Sequence, residues 1–295
     1  MTAETTGDEL LEKGDMEGAF SLYQMALDKA RTEVQAAPGD TAALRRMASL
    51  LEQTGNILAA RGDFEAGLAR VSEAATLREK LADASPKDPR LRRELAACVE
   101  SAGNLMTALR DYEGGLASCR RTLSILRGLQ AASPGDRTLR TGILRETEKQ
   151  AGLLHILGRM DEALALRREA QAGWRDMAAA NPEDAMAAQA ALAAVQQTAT
   201  VLVAKGEMDA ALEAYAQVLA ALEEMEAAEP EIRDWSRRKA GILTVTGAVR
   251  RQMGDREAAA ADFRKALAVH ESLGSAPEWA EDVAELRMLL KSVAD

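Results

Sequence analysis

The 295-residue chain has little of what most chemistries need. Aromatics are 3% of the residues, and there are only two cysteines (Cys98 and Cys119), two histidines (His155 and His270) and seven prolines. Two cysteines supply neither a disulfide framework nor a metal-ligand spacing, and both fall where small core hydrophobes are expected. The histidines lie in different repeats with no acid or cysteine in register, so they are expected at the surface, as neither bases nor ligands. There is no Gly-rich phosphate loop, zinc motif or nucleophile elbow. The expectation is therefore no enzyme: no catalytic residues, no metal and no cofactor. The formal net charge of -10 repels phosphate backbones, which argues against nucleic acid as partner. No apolar run reads as long enough to span a bilayer, so no membrane partner is expected. Residues 1–8 show no basic segment followed by an apolar one, as a secretory signal would. A reducing, cytoplasmic compartment is the plain expectation.

What is present is helix-forming. Ala, Leu, Glu and Arg dominate while Val, Ile and Thr are sparse, which favours helix over strand. With 47% hydrophobic and 28% charged residues the chain can bury apolar faces. One short pattern recurs, beginning at Gly14, Gly62, Arg110, Gly158, Gly206 and Gly254, with every step 48 residues. In the first three cases the next residue is aspartate: Gly14-Asp-Met-Glu, Gly62-Asp-Phe-Glu and Arg110-Asp-Tyr-Glu. A second marker keeps the same beat: Pro38, Pro86, Pro134, Pro182 and Pro230, the first four followed two residues later by Asp40, Asp88, Asp136 and Asp184. Aspartate is a strong N-cap, and Pro89 then falls at a first helical position, where its missing N–H costs nothing.

Each 48-residue unit reads as helix A, a tight turn at the glycine, helix B, and a Pro-Asp loop. In the unit 40–87, helix A is predicted over Thr41–Arg61, with Leu44, Met47, Leu51, Thr54 and Leu58 on one face. Helix B is predicted over Asp63–Ala84, with Phe64, Leu68, Val71, Ala75, Leu77 and Leu81. A turn this short makes the pair antiparallel, and neither helix can bury its face alone, so neighbouring units must stack. The fold expected is all-α: a single solenoid over 1–295 of antiparallel helix pairs. Its units are 1–39, 40–87, 88–135, 136–183, 184–231 and 232–276, with a capping helix in 277–295. Before Gly14 there is room for only one or two helical turns near Glu9–Lys13, which leaves a blunt N-terminal end. A homo-oligomer formed through that end is one expectation. Glu278–Ala294 reads as the cap, with Glu281, Glu285 and Lys291 outward.

The pattern resembles the tetratricopeptide repeat. The first small position is held by Gly55, Gly103, Ala151, Ala199 and Gly247, and the second by Ala19, Gly67, Gly115, Ala163, Ala211 and Ala259. The bulky position holds Tyr23, Val71, Cys119, Arg167, Tyr215 and Phe263, and the closing small one Ala26, Ala74, Thr122, Ala170, Val218 and Ala266. Arg110 and Arg167 depart from the pattern, which predicts looser packing in the fourth unit. The resemblance implies about six repeats in a right-handed superhelix and a protein- or peptide-binding role through a concave surface of helices A. The family's unit is 34 residues, so each helix here is longer by about two turns. Long-repeat arrays of this kind resemble parts of bacterial regulatory and signalling proteins. This leaves three expectations open: a scaffold or adaptor, a regulatory or sensor subunit docking on a separate catalytic partner, and a self-assembling structural protein.

The family's carboxylate clamp needs lysines four residues before its asparagines. Here Asn56 and Asn104 stand at the asparagine position, but Glu52, Glu100, Glu148, Gln196 and Thr244 stand where lysine is needed. A C-terminal carboxylate ligand is therefore not expected. Arg45, Arg93 and Arg237 recur one or two turns earlier, with Arg46, Arg92, Arg140 and Arg145 widening the band. The expected binding set is Arg45, Glu52, Asn56, Arg93, Glu100, Asn104, Glu148 and Arg237: asparagines on a peptide backbone, charged stripes reading its side chains. The alternative is a set of solvated helix charges worth a few tenths of a kcal/mol each. Trp174, Trp235 and Trp279 are expected to pack rather than to face a ligand.

Overall fold

Helix starts in this protein are written by aspartate. Asp40, Asp88, Asp136 and Asp184 each accept a hydrogen bond from a backbone N–H of the first turn that follows, satisfying donors with no intrahelical partner. The aspartate after each turn does the same for helix B: Asp15 accepts from Gly18, Asp63 from Ala66, Asp111 from Gly114 and Asp255 from Ala258. Arg159 and Glu207, at the corresponding starts, make no side-chain cap.

The computed structural model describes residues 3–273 and 280–294. They form thirteen helices: α1 (Ala3–Glu12), α2 (Met16–Ala36), α3 (Thr41–Ala60), α4 (Phe64–Ala84), α5 (Pro89–Ala108), α6 (Tyr112–Ala132), α7 (Arg137–Ile156), α8 (Met160–Ala180), α9 (Ala185–Lys205), α10 (Met208–Ala228), α11 (Arg233–Gln252), α12 (Arg256–Leu273) and α13 (Ala280–Ala294). No strand occurs among the described residues. Odd-numbered helices are helices A and even-numbered ones helices B. The chain divides into two compact units, Met1–Gly158 and Arg159–Asp295.

In the first unit, α1 to α7 pack each on its sequence neighbour. Its core runs through Tyr23, Leu27, Leu50, Leu51, Val71, Leu81, Cys98 and Leu105. The small residues allow that packing. A Cβ on Gly55 would lie 2.8 Å from Val71 Cγ2, and one on Gly67 would lie 2.8 Å from the Gly55 carbonyl oxygen, so α3 and α4 cross in near backbone contact. The turn glycines Gly14 and Gly62 take φ of 82° and 89°, and Arg110 takes the same left-handed turn with φ 63°.

The first helix A is partial, at ten residues against twenty in α3, but it starts at Ala3 and is longer than the one or two turns expected near Glu9–Lys13. α1 has ten residues, and Gly7 on it packs against the Tyr23 ring, 2.7 Å from a would-be Cβ to Cε1. Gly7 stands 48 residues before Gly55, so the register of the small position is already present in α1. The Tyr23 hydroxyl donates to Asp8 on the same helix.

In the second unit, α8 to α13 pack in the same sequential manner. Trp174 on α8 and Trp235 on α11 are buried, and Arg167 is buried beside fully covered Ala163 and Ala170. Trp279 and Glu278 lie outside the described residues. Leu286 of α13 is buried with Leu243, Phe263 and Ala266, while Glu281, Glu285 and Lys291 are exposed. Two sequence expectations fail here. His270 is buried, at 4% exposure, rather than a surface residue. The Ala-rich α9, Ala185–Lys205, is by length and composition long and apolar enough to cross a membrane, contrary to the sequence reading. In this fold α9 packs between α8 and α10, and Leu192, Ala199, Val201 and Leu202 are buried.

Candidate functional site

The exposed line of helix A repeats with the 48-residue period on α3 and α5. On α3 it runs through Arg45, Ser49, Asn56 and Ala60, and on α5 through Arg93, Ala97, Asn104 and Ala108. Steps of four, seven and four residues put Arg45, Ser49, Asn56 and Ala60 on one face of the helix, and the core residues Met47, Leu50, Leu51 and Thr54 hold that face outward. The result is a strip of small side chains with an arginine at one end and an asparagine towards the other.

The structure pairs the charges of this surface with each other. Arg45 Nη2 lies 2.6 Å from Glu94 Oε1 on α5. Glu52 Oε2 lies 2.6 Å from Nη2 of Arg78, a largely buried side chain on α4 that also reaches Glu94 Oε2 at 3.0 Å. Arg93 Nη2 lies 2.7 Å from Asp136 Oδ2, the N-cap carboxylate of α7. That hydrogen bond, with the backbone N–H of Leu139, holds the Asp136 carboxyl below the usual range. Glu100 accepts from Lys149 Nζ at 2.8 Å, and Lys149 also reaches the buried Glu146 at 3.2 Å. Burial works against the Lys149 ammonium, but the hydrogen bond to Glu100 and the charges of Glu146 and Glu100 outweigh it and raise its pKa.

Asn56 Oδ1 accepts from Ser101 Oγ at 3.1 Å, and Asn104 is exposed at the same register on α5. Glu148 is half-buried on α7. Arg237 is exposed on α11 of the second unit. Of the eight candidates, none bonds directly to another through the contacts above: each of Arg45, Glu52, Arg93 and Glu100 is tied to a residue outside the set. Those partners, Arg78, Glu94, Asp136 and Lys149, fall outside a reading confined to one face of helix A. A sequence signal for them exists, since Arg45 to Glu94 and Glu100 to Lys149 are both steps of 49 residues, one repeat plus one.

The groups this surface offers are hydrogen-bond donors and acceptors and paired charges. Among the described residues no group of three or more His, Cys, Asp or Glu side chains is placed to hold a metal ion. Both cysteines are buried, and burial pushes the Cys98 thiol up to about 12.

Comparison with known proteins agrees with this architecture. A model of the bacterial transcriptional activator domain matches residues 2–133. No curated protein sequence matches significantly. Among solved structures the chain is similar to BtubC (BKLC) from P. vanneervenii, with 15% identity and a TM-score of 0.60, covering 89% of this chain and 94% of that one. It is similar to a putative kinesin light chain of Podosopora anserina with nearly identical tetratricopeptide-like repeats, with 15% identity and a TM-score of 0.55, covering 76% and 95%. It is also similar to the apo form of RapI, with 9% identity and a TM-score of 0.56, covering 98% of both chains. The chain is an all-α helical-repeat protein. Its fold is the tetratricopeptide-like repeat fold.

Proposed function

We propose that this chain is a non-catalytic scaffold or adaptor that binds an extended protein segment across the helix-A surface of its first unit. One observation carries the reading: Asn56 and Asn104 recur at one register on successive helices A, exposed, beside the small side chains of Ser49, Ala60, Ala97 and Ala108. An asparagine amide offers two donors and an acceptor, the set that a peptide backbone matches, and small neighbours let that backbone approach. With Arg45, Arg93, Glu52 and Glu100 already paired, the surface is close to neutral. These charges, with Glu148, flank the strip and select among partner side chains rather than supply bulk attraction. Arg237, exposed on α11, is proposed as a binding residue of the second unit by itself.

The test is capture of partners from the source cell on the immobilised chain, with the Asn56→Ala/Asn104→Ala variant in parallel and mass spectrometry as readout. Both asparagines are exposed, so the variant keeps the fold. A partner lost or weakened at least about tenfold supports the assignment. A partner retained at full strength moves the binding surface elsewhere.

A second reading is favoured by the match over residues 2–133: the chain is the regulatory part of a larger system and controls a separate partner on which it docks. A captured partner with catalytic or DNA-binding activity that changes on complex formation distinguishes it from a passive scaffold.

A further inference from the structure

The second unit carries a pocket that the first unit fills with its own arginine. The pocket, about 210 Å³, lies between two helices A over a helix B. One wall comes from α11 (Arg237, Gly241, Thr244) and the other from α13 (Asp282, Glu285, Leu286), with His270 of α12 lining it between them. His270 is 4% exposed and Leu286 1%, so the inner end is a built interior surface. Four repeats earlier, 192 residues back, the same positions hold Arg45, Ser49, Glu52, Arg78, Arg90, Arg93 and Glu94. There Arg78, in the place of His270, extends its guanidinium to Glu52 at 2.6 Å, Glu94 at 3.0 Å and Ser49 at 3.5 Å. In the second unit each of those four is replaced by a smaller or apolar residue: His270 for Arg78, Thr244 for Glu52, Gly241 for Ser49 and Leu286 for Glu94. The space that the guanidinium fills in the first unit is thereby open in the second.

The charge around that space has been inverted. Where the first unit has Arg90 and Arg93, the second has Asp282 and Glu285, both exposed at the rim. Among the described lining residues, the carboxylates of Asp282 and Glu285 outnumber the one guanidinium of Arg237. The unit around it, residues 159–295, holds 24 Asp and Glu against 16 Lys and Arg, so its field also favours a cation. A planar guanidinium suits the chemistry: carboxylates accept its paired N–H donors, and its face stacks on an aromatic ring such as imidazole. At about 210 Å³ the pocket is below the size that encloses a drug-sized ligand and suits a single long side chain.

We propose that this pocket receives an arginine side chain presented by the partner protein, held by Glu285 and Asp282 over His270. The proposal rests on the protein-binding reading above and names the partner's chemistry at a second point of contact.

The probe is Nα-acetyl-L-arginine amide, titrated into the full chain while the imidazole C2–H proton resonances are followed by NMR. With only two histidines in the chain, His155 serves as the internal control. The expected result is a saturable shift of His270 alone, absent with Nα-acetyl-norleucine amide and weakened at least about tenfold in Asp282→Asn/Glu285→Gln. Both carboxylates are exposed, so that variant folds. Gly241 lines the pocket and a Cβ on it meets nothing within 4 Å, so Gly241→Leu places its side chain at the pocket wall, and it abolishes the shift. An unmoved His270, an equal response to norleucine amide, or binding that survives both variants overturns the assignment. The titration needs no partner protein, so its failure and that of the capture experiment are distinguishable.

Discussion

The Arg78 guanidinium on α4 donates to the Glu52 carboxylate on α3 at 2.6 Å, with the two side chains 8% and 21% exposed. The same guanidinium reaches Glu94 on α5, so one buried arginine ties three helices together. Removing Arg78 takes the ion-pair partner from Glu52, which is 21% exposed, while Glu94 keeps Arg45, so the cost falls mainly on the Glu52 carboxylate. Arg78→Leu is expected to destabilise the chain by about 2–3 kcal/mol in urea unfolding. Leucine stands at this register in Leu126 and Leu222, so shape is not the obstacle. Adding Glu52→Gln to Arg78→Leu should return a substantial part of the loss. A double variant as unstable as the sum of the single changes would refute the account.

Arg110 adopts φ 63° at the position where Gly14, Gly62, Gly158, Gly206 and Gly254 take φ between 75° and 89°. A side chain in the left-handed region costs roughly 1–2 kcal/mol, partly offset because arginine has less backbone freedom to lose than glycine. Arg110→Gly is therefore expected to stabilise by about 0.5–1 kcal/mol, seen as a raised melting temperature. Gly62→Arg should lower it by a comparable amount. Arg110→Gly melting below the parent would show that the arginine side chain supplies something the turn needs.

Gly247 on α11 lies against the Phe263 ring of α12, where a Cβ would come within 2.6 Å of Cε1 and 2.7 Å of Cδ1. Alanine favours a helix by about 1 kcal/mol over glycine, and overpacking a rigid ring costs about 1–3 kcal/mol, so the packing term decides the sign. Gly247→Ala should lower stability by about 1 kcal/mol in the parent. In a Phe263→Leu background, where the ring is gone, the same change should be neutral or stabilising. A double-mutant cycle on thermal unfolding measures the difference, and additivity would mean that the ring moves aside freely.

The fold is legible in the sequence because two punctuation marks share one period. The Pro-Asp loops and the turn glycines recur every 48 residues, and helices begin at Thr41, Pro89, Arg137 and Ala185, the residue after each aspartate. What escapes is local register at the ends and in the interior. Gly7 carries the small-residue position of α1 but sits in an unpunctuated segment, so the sequence makes α1 look too short. A surface place for His270 follows from what histidine usually does, whereas its position on α12 is the one that Arg78 and Trp174 occupy as buried side chains. The candidate surface is half legible. The periodicity locates Arg45, Glu52, Asn56, Arg93, Glu100 and Asn104, but the ion pairs that engage four of them depend on the distance between successive helices, which sequence spacing on one helix does not contain. The length and hydropathy of α9 illustrate a different limit, since an Ala-rich helix packed between two neighbours and a spanning helix share both.

The buried thiols make stability fall with alkaline pH. Burial raises Cys98 to about 12, with the Glu52 charge adding and Arg78 opposing, and burial together with Glu146 raises Cys119 further. Cys98 Sγ also donates to the Val71 carbonyl at 3.4 Å. An unfolded thiol titrates near 8.5, so between that pH and the folded values the native state holds protons that the unfolded state has released. The contribution is complete below about pH 8.5 and diminishes as pH rises towards 12, by about 2 kcal/mol per thiol on reaching pH 10. The expected outcome is that the chain loses more stability from pH 8 to pH 10 than its Cys98→Ala/Cys119→Ala variant, measured by urea midpoints at each pH. Native protein at pH 8 should leave a thiol reagent unreacted, and both cysteines should react once urea unfolds it. Equal pH slopes for the two proteins, or prompt labelling of the folded chain, would place these thiols in contact with water and remove the effect.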